Sequence, residues 1–180
     1  MAASTQTKQL DELYGLIAQI KTAMLTTRRQ DGRLVSRPMA TQKRDPIADL
    51  WFVADIESLK MDELEHDLHV NVAYLDSRSW EWVSVSGTAT IATDPGEIRR
   101  LYEPDWKAWF GAIDETRNGG PDDPRLALIL VDADSVVYMK QEKSKPVVLF
   151  EVAKALVTGS RPDVGEPKRI EPLPKQRRSA

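Results

Sequence analysis

The chain has 180 residues, which suits one compact domain, and 25 Lys and Arg against 28 Asp and Glu give a net charge of −3. The absence of cysteine excludes disulfides, thiolate metal sites and cysteine nucleophiles, and two histidines, His66 and His69, disfavour histidine-rich metal sites and Ser-His-Asp catalysis. Any redox role therefore requires a bound cofactor, and the lack of an apolar leader or of a run of about 18 apolar residues predicts a cytoplasmic protein.

The first half of the chain begins with a helical pattern and continues with extended segments. Apolar residues recur at helical spacing from Leu10 to Ile20 and predict an amphipathic helix over 7–21. An Asp31-Gly32 turn between Ala23–Arg28 and Leu34–Arg44 predicts a β-hairpin. The next predicted elements are a strand at Leu50–Ala54, a short helix at Glu57–His66 and a strand at Val70–Leu75.

The second half contains the longest alternating segment, Trp80–Ala92, and Gly87 at its centre predicts a β-bulge or a close backbone approach. Asp94-Pro95 is typical of a helix start, so we expect a helix that runs to Tyr102 before Pro104 ends it. The last predicted elements are a pair of strands within Arg125–Lys140 and a closing helix at Val147–Leu156.

The final segment, 161–180, differs from the rest in composition. It holds four prolines and six basic against three acidic residues, a net +3, so residues 1–160 carry −6. So few large apolar residues cannot offset the entropy of ordering, and we predict a domain over 7–160 followed by a flexible tail over 161–180. The tail is read as a solubilising end rather than a nucleic-acid arm, because the body is acidic.

The order of elements predicts a mainly β fold. Short links between the early strands indicate an antiparallel sheet. About six strands with few helices favour a small closed or half-closed barrel with flanking helices.

The extended stretch Arg37–Gln42 is the most informative for function. Pro38 forbids a ladder hydrogen bond, so the segment is typical of an edge strand. Arg37 beside it needs a partner or water for its guanidinium. The residues leave two interpretations open. The segment is either an edge strand with Arg37 exposed to water, or an edge strand whose free backbone groups bind a ligand while the Arg37 guanidinium binds an anionic group of it.

A second candidate lies at the start of the predicted short helix. Ser58 and Lys60 flank a helix N-terminus, where free N–H groups and the helix dipole favour an anion. Taken alone this is an ordinary cap with a solvated lysine. Together with Arg37 it supplies the cations and donors that a phosphate needs. Among the five tryptophans, Trp106 and Trp109 are candidates for stacking on a planar cofactor or for an interface.

Seven segments between Leu10 and Gly159 resemble one known family. They are AMLTT, GRLVSRPMATQ, LWFVA, SLK, VNVAY, VSVSGTA and WFG followed by DDPRLALILV. In this order they are similar to the general stress protein 26-like branch of the pyridoxamine 5′-phosphate oxidase-like FMN-binding split barrels.

The resemblance implies a homodimer of six-stranded antiparallel split barrels of Greek-key type, with FMN in a groove at the dimer interface. The matching phosphate contacts are Arg37, Ser58 and Lys60. The matching ring contacts are the backbone edge Pro38, Met39 and Ala40 and the polar residues Thr41 and Gln42. Val53 and Ala54 match the strand beside the phosphate, and Trp109 matches an aromatic residue that such proteins place near the cofactor from the partner chain.

The resemblance also limits the functional prediction. Leu59 stands where many relatives carry arginine, and the Arg/His substrate signature of true pyridoxamine phosphate oxidases is absent, so that oxidation is not implied. We therefore predict an FMN-binding redox protein with an unknown substrate and assign no catalytic residue and no metal ligand. The alternatives are a non-catalytic flavin-binding stress protein or sensor that acts through a protein partner, and a deazaflavin-dependent protein or flavin reductase.

Overall fold

The computed structural model describes residues 2–141, 145–159 and 166–173. Its helices are α1 (Ala2–Ile20), α2 (Leu59–His66), α3 (Pro95–Leu101), α4 (Lys107–Phe110) and α5 (Lys145–Thr158). Its strands are β1 (Thr22–Arg28), β2 (Leu34–Ala40), β3 (Leu50–Asp55), β4 (His69–Asp76), β5 (Glu81–Ala92), β6 (Leu126–Met139) and β7 (Lys168–Ile170). A 3₁₀ turn, Pro104–Trp106, leads into α4. No described helix is long and apolar enough to cross a membrane.

The strands form one antiparallel sheet in the order β2-β1-β4-β5-β6-β3, and β7 pairs with β6. The six strands of this path make a half-barrel with flanking helices, which confirms the predicted mainly β fold. Because β2 and β3 stand at the two ends of the path, the half-barrel has two free strand edges. These edges approach each other, and the barrel is open between them.

The core lies between α1 and the concave face of the sheet. Leu13, Leu16 and Ile17 of α1 are almost fully buried against strand residues such as Val72 and Val85. Burial of each such side chain stabilises the fold by about 1.5–3 kcal/mol. Along β5, buried residues alternate with half-buried or exposed ones as far as Thr90, and this alternation produces the buried face, as the sequence pattern predicts.

The predicted irregularity at Gly87 is confirmed as a shift of register between β5 and β6. A Cβ atom on Gly87 would lie 2.1 Å from the carbonyl oxygen of Asp132, so only glycine allows this approach. The prediction of two strands within 125–140 is wrong, because β6 is continuous through this point. The backbone N–H of Ala133 donates to the Asp49 carboxylate at 3.0 Å, which satisfies a group at the irregularity.

The prediction of a flexible tail from residue 161 is wrong for the part that the structure describes. β7 pairs with Val136–Tyr138 of β6, and Ile170 and Leu173 are 5% exposed. β3 covers only the first half of that edge of β6, so a short strand that pairs with the second half satisfies backbone groups otherwise left free. Residues 161–165 and 174–180 of the predicted tail lie outside the described residues.

Candidate functional site

A cleft opens at the split between the edge strands β2 and β3. At one point the gap is bridged by a hydrogen bond of 3.2 Å from the Gln42 N–H to the Trp51 carbonyl. Beyond this bridge the strands diverge and leave a cleft of ≈ 350 Å³. Its lining residues are Thr22, Pro38, Met39, Ala40, Gln42, Val53, Ala54, Asp55, Lys60, Asp105, Trp106, Trp109 and Phe110.

Eight of the eleven candidate residues from the sequence line this one cleft. They are Pro38, Met39, Ala40, Gln42, Val53, Ala54, Lys60 and Trp109. The other three, Arg37, Ser58 and Thr41, do not belong to its lining. The topology explains the convergence, because two strands far apart in the sheet order bring residues 38–42 and 53–55 to the same opening.

Lys60 is the one cation among the described residues that line the cleft. Its ammonium donates to the Ser58 hydroxyl at 2.6 Å, and that hydroxyl donates to the Asp55 carbonyl at 2.5 Å. Ser58 therefore lies behind Lys60, at the N-terminus of α2, and orients it. Burial, and after it the positive charge of Arg37, lower the pKa of Lys60, because both disfavour the ammonium form.

Arg37 is held beneath α2 rather than on the cleft surface. Its guanidinium donates to the Thr27 hydroxyl and to the Glu63 carboxylate, and Thr27 also donates to Glu63. The side chains of Arg37 and Glu63 are 19% and 11% exposed, so this is a largely buried ion pair. The charge of Arg37 lowers the pKa of Lys60, and the charge of Glu63 raises it.

An aromatic wall faces the β2 edge. Trp106 is buried, and its Nε1 donates to the Gln42 side-chain oxygen at 3.0 Å, while the Gln42 amide nitrogen donates to the Ala40 carbonyl at 3.2 Å. Trp109 is 82% exposed and lines the cleft. Phe110, which is not among the site residues predicted from the sequence, completes this wall.

A buried ion pair between Asp123 and Arg125 connects the wall to the sheet, and in the sequence both residues belong to the DDPR motif. The Arg125 guanidinium donates to the carbonyls of Phe110 at 2.9 Å and Gly111 at 3.0 Å, at the end of α4. Asp123 binds Arg125 and accepts the Gly119 N–H at 2.7 Å. The hydrogen bonds from Arg125 lower the pKa of Asp123 to about 2, although burial opposes this shift.

Thr41 lies on the other side of the 40–42 segment. Its hydroxyl is 2.8 Å from the Tyr74 hydroxyl, and it lines a second cavity. Burial raises the pKa of Tyr74 well above its ordinary value, so this phenol stays protonated. Within the described residues, no group of three or more His, Asp or Glu side chains is placed to hold a metal ion.

A half-barrel of six antiparallel strands with a cleft between its two edge strands is a split barrel. The model of the pyridoxamine 5′-phosphate oxidase-like family matches residues 8–163. The chain therefore belongs to this family, as the sequence segments indicate.

Three relatives illustrate the likeness. Protein bli-3 of Neurospora crassa is 36% identical over 166 residues, which cover 91% of this chain and 79% of that protein. The structure of the general stress FMN/FAD binding protein of Xanthomonas citri is 26% identical with a TM-score of 0.62, and the match covers 77% of this chain and 92% of that one. The structure of a Clostridium acetobutylicum protein related to general stress protein 26 of B. subtilis is 19% identical with a TM-score of 0.63. The match covers 76% of this chain and 91% of that one, and at this identity it supports the fold alone.

Proposed function

We propose that the protein binds FMN in the cleft at the split and acts as a flavin-dependent redox protein of the general stress type. One observation carries the proposal: a half-buried lysine, Lys60, and an exposed tryptophan, Trp109, line the same cleft. A cation and an aromatic surface together suit a molecule that has a phosphate and a flat ring. The Xanthomonas citri relative, described as FMN/FAD binding, supports a flavin as that molecule.

The phosphate of FMN would lie at the start of α2. Lys60 and the Ser58 hydroxyl are hydrogen-bonded there, and the helix N-terminus adds free N–H groups and a favourable dipole. A dianion beside Lys60 would offset the burial that disfavours its charge. Arg37, which is paired with Glu63 beneath α2, would attract the phosphate electrostatically without a direct hydrogen bond to it.

The ring of FMN would lie along the edge of β2. Pro38 contributes no N–H, and Ala40 turns its backbone groups toward the split, where its carbonyl accepts from Gln42. Met39 is paired with Ala23 of β1 and lines the cleft between these two residues. Gln42 is held by Trp106 and by the Ala40 carbonyl, so one N–H of its amide remains available for a polar contact to the ring. Trp109 supplies a flat apolar surface on the facing wall.

The proposal includes a homodimer. Trp109 and Leu59 are 82% and 79% exposed, and both lie in or beside the cleft. A second copy of the chain that covers them would remove apolar surface from water and shield the cofactor. Sedimentation equilibrium of the purified protein tests this part, and a monomer at micromolar concentration contradicts it.

When bound, FMN supplies the electron-accepting chemistry, and the chain supplies binding, orientation and local charge. The titratable side chains of the described lining are Asp55, Lys60 and Asp105. The proposal therefore assigns no catalytic side chain. It places the protein in the cytoplasm, a compartment whose reducing conditions suit a chain without cysteine.

The test is a titration of the purified protein with FMN, followed by flavin absorption and fluorescence. Lys60→Gln should weaken FMN binding by about tenfold or more, since it removes one charge-assisted contact to the phosphate. Lys107→Gln, which removes an exposed lysine from α4 beside the aromatic wall, is the matched control and should leave the affinity unchanged. A protein that stays colourless with excess FMN overturns the proposal, and undiminished affinity in Lys60→Gln contradicts the assigned phosphate position.

A further inference from the structure

A second cavity of ≈ 510 Å³ adjoins the cleft at the split. It lies between α1, the segment 40–44, the start of β3 and the 103–105 turn. Thr22, Ala40, Gln42 and Asp105 line both spaces. A molecule in the second cavity would therefore lie next to whatever occupies the cleft.

The walls of this cavity are largely apolar. They are formed by Ile17, Ala18, Leu50, Trp51 and Pro104. A cavity of this size with apolar walls and a few polar groups has the properties of a small-molecule site. The walls favour a ligand with a compact apolar body.

Two of the three carboxylates in the described lining of the cavity, Asp49 and Glu103, are bound by other groups of this chain. Asp49 accepts the Ala133 N–H at 3.0 Å, and Glu103 binds Lys43 at 2.7 Å. The hydrogen bond and charge of Glu103, with a further contribution from the charge of Asp105, raise the pKa of Lys43. Glu103 thus has its counter-charge in Lys43, and Asp49 has a backbone donor.

Two cations of the lining have no such compensation. The Arg44 guanidinium lies 3.9 Å from the centroid of the Tyr14 ring and forms no ion pair within the described residues. Lys21 likewise has no carboxylate partner there. Stacking on Tyr14 leaves the donors at the edge of the guanidinium free for an anion, which arginine can bind with two parallel hydrogen bonds.

Lys21 also occupies a position that favours glycine. It follows the last residue of α1 with φ 66°, and its N–H donates to the Ile17 carbonyl at 2.9 Å. This is the left-handed helix cap at which a side chain is strained and glycine is usual. A lysine at this position has a conformational cost, and Lys21 lines the cavity.

We infer that the second cavity binds a small aromatic carboxylate, whose carboxylate is held by Lys21 and Arg44 and whose ring packs on the apolar walls. That this ligand lies next to FMN rests on the proposed function. That the second cavity binds an aromatic carboxylate does not depend on FMN. The shared residues Ala40 and Gln42 place the ligand beside the flavin. An aromatic carboxylate is therefore the class of molecule in which to look for the redox partner of the flavin.

The experiment is equilibrium dialysis of the full chain against 2-naphthoate and against its uncharged analogue 2-naphthalenemethanol, with and without FMN. Naphthoate should bind about tenfold or more tightly than the alcohol, and Lys21→Gly and Arg44→Gln should each abolish most of this difference. Arg33→Gln removes an arginine that is 78% exposed in the β1–β2 hairpin, and should leave binding unchanged. Lys21→Gly relieves the left-handed strain, so its melting temperature should not fall and a loss of binding in it cannot be ascribed to unfolding.

The outcomes separate this inference from the proposed function. Equal binding of the acid and the alcohol, or full binding by both variants, overturns the aromatic carboxylate site even if FMN binds. Binding of naphthoate that depends on Arg44 in a protein that takes up no FMN supports the site and overturns the flavin proposal.

Discussion

Asp123 and Arg125 form a buried ion pair, with 2.7 Å between carboxylate and guanidinium, that connects the aromatic wall of the cleft to the start of β6. The same guanidinium holds the last carbonyls of α4, the helix that carries Trp109. The position of the cleft wall therefore depends on two residues that do not touch the cleft. Their side chains are 0% and 6% exposed. If one charge is removed, water cannot solvate the other, which stays buried without a partner.

We expect Asp123→Asn to lower the free energy of unfolding by about 3–5 kcal/mol, because it leaves the buried Arg125 without its carboxylate. The pKa of Asp123 is lowered to about 2 from 3.8, so the stabilisation is present above about pH 4 and is lost as the pH falls toward about 2. Urea denaturation of both proteins across this range should show the difference between them shrinking on the acid side.

The matched control for this prediction is Arg117→Gln. Arg117 and Asp114 form an ion pair on the same loop, but both side chains are 42% exposed. Its removal should change the free energy of unfolding by no more than about 1 kcal/mol. Equal effects of the two substitutions would show that the buried position of Asp123 has no special importance.

Glu63→Gln should strengthen FMN binding while it destabilises the fold. Glu63 neutralises Arg37 beneath α2, so its replacement frees that positive charge to act on the phosphate beside Lys60. We expect FMN affinity to rise by up to about tenfold and the free energy of unfolding to fall by about 1–3 kcal/mol. Glu65→Gln on the exposed face of α2 is the control for both measurements. Unchanged or weaker FMN binding in Glu63→Gln argues against any action of Arg37 on the phosphate.

Gly87→Ala and Gly15→Ala should change stability in opposite directions. A Cβ at Gly87 collides with the carbonyl of Asp132 in β6, and we expect a loss of at least about 1–3 kcal/mol. Gly15 lies within α1 with no atom within 4 Å of such a Cβ, so alanine there should stabilise by about 0.5–1 kcal/mol. Chemical denaturation of the two variants checks this pair, and a tolerated alanine at 87 would mean that the strands can separate there.

Ile170→Ala measures whether β7 belongs to the fold in solution. Ile170 is 5% exposed in the main core, and its truncation should cost about 2–5 kcal/mol. Arg169→Ala, the neighbouring substitution, removes an exposed ion pair with Glu171 and should cost no more than about 1 kcal/mol. If the segment were a flexible tail, both variants would melt at the temperature of the parent protein.

Local patterns were sufficient to predict most of the half-barrel. Alternation along 80–92 identified β5, and the Asp31-Gly32 turn identified the first hairpin, where Gly32 has φ 82°. Gly87 predicted the irregularity, because a glycine within an alternating strand pattern is typical of a bulge or a close backbone approach. Each of these signals lies within the segment that it describes.

The features that were missed depend on residues distant in sequence. β7 has a weak pattern of its own, and it forms because β3 leaves half of an edge of β6 uncovered. The sequence predicts that Arg37 needs a partner, but only the fold brings Glu63, 26 residues later, into contact with it. The same holds for Thr41, whose contact with Tyr74 turns it away from the cleft.

Pro38 has a further consequence that follows from its place on a free strand edge. An unprotected edge is a template on which another molecule can add a strand, and such growth leads to fibres and precipitates. A proline in the middle of β2 lacks the N–H that an added strand would need, so it interrupts this template. The residue that shapes one wall of the cleft thus also protects the protein, when it is concentrated, from aggregating through its open barrel.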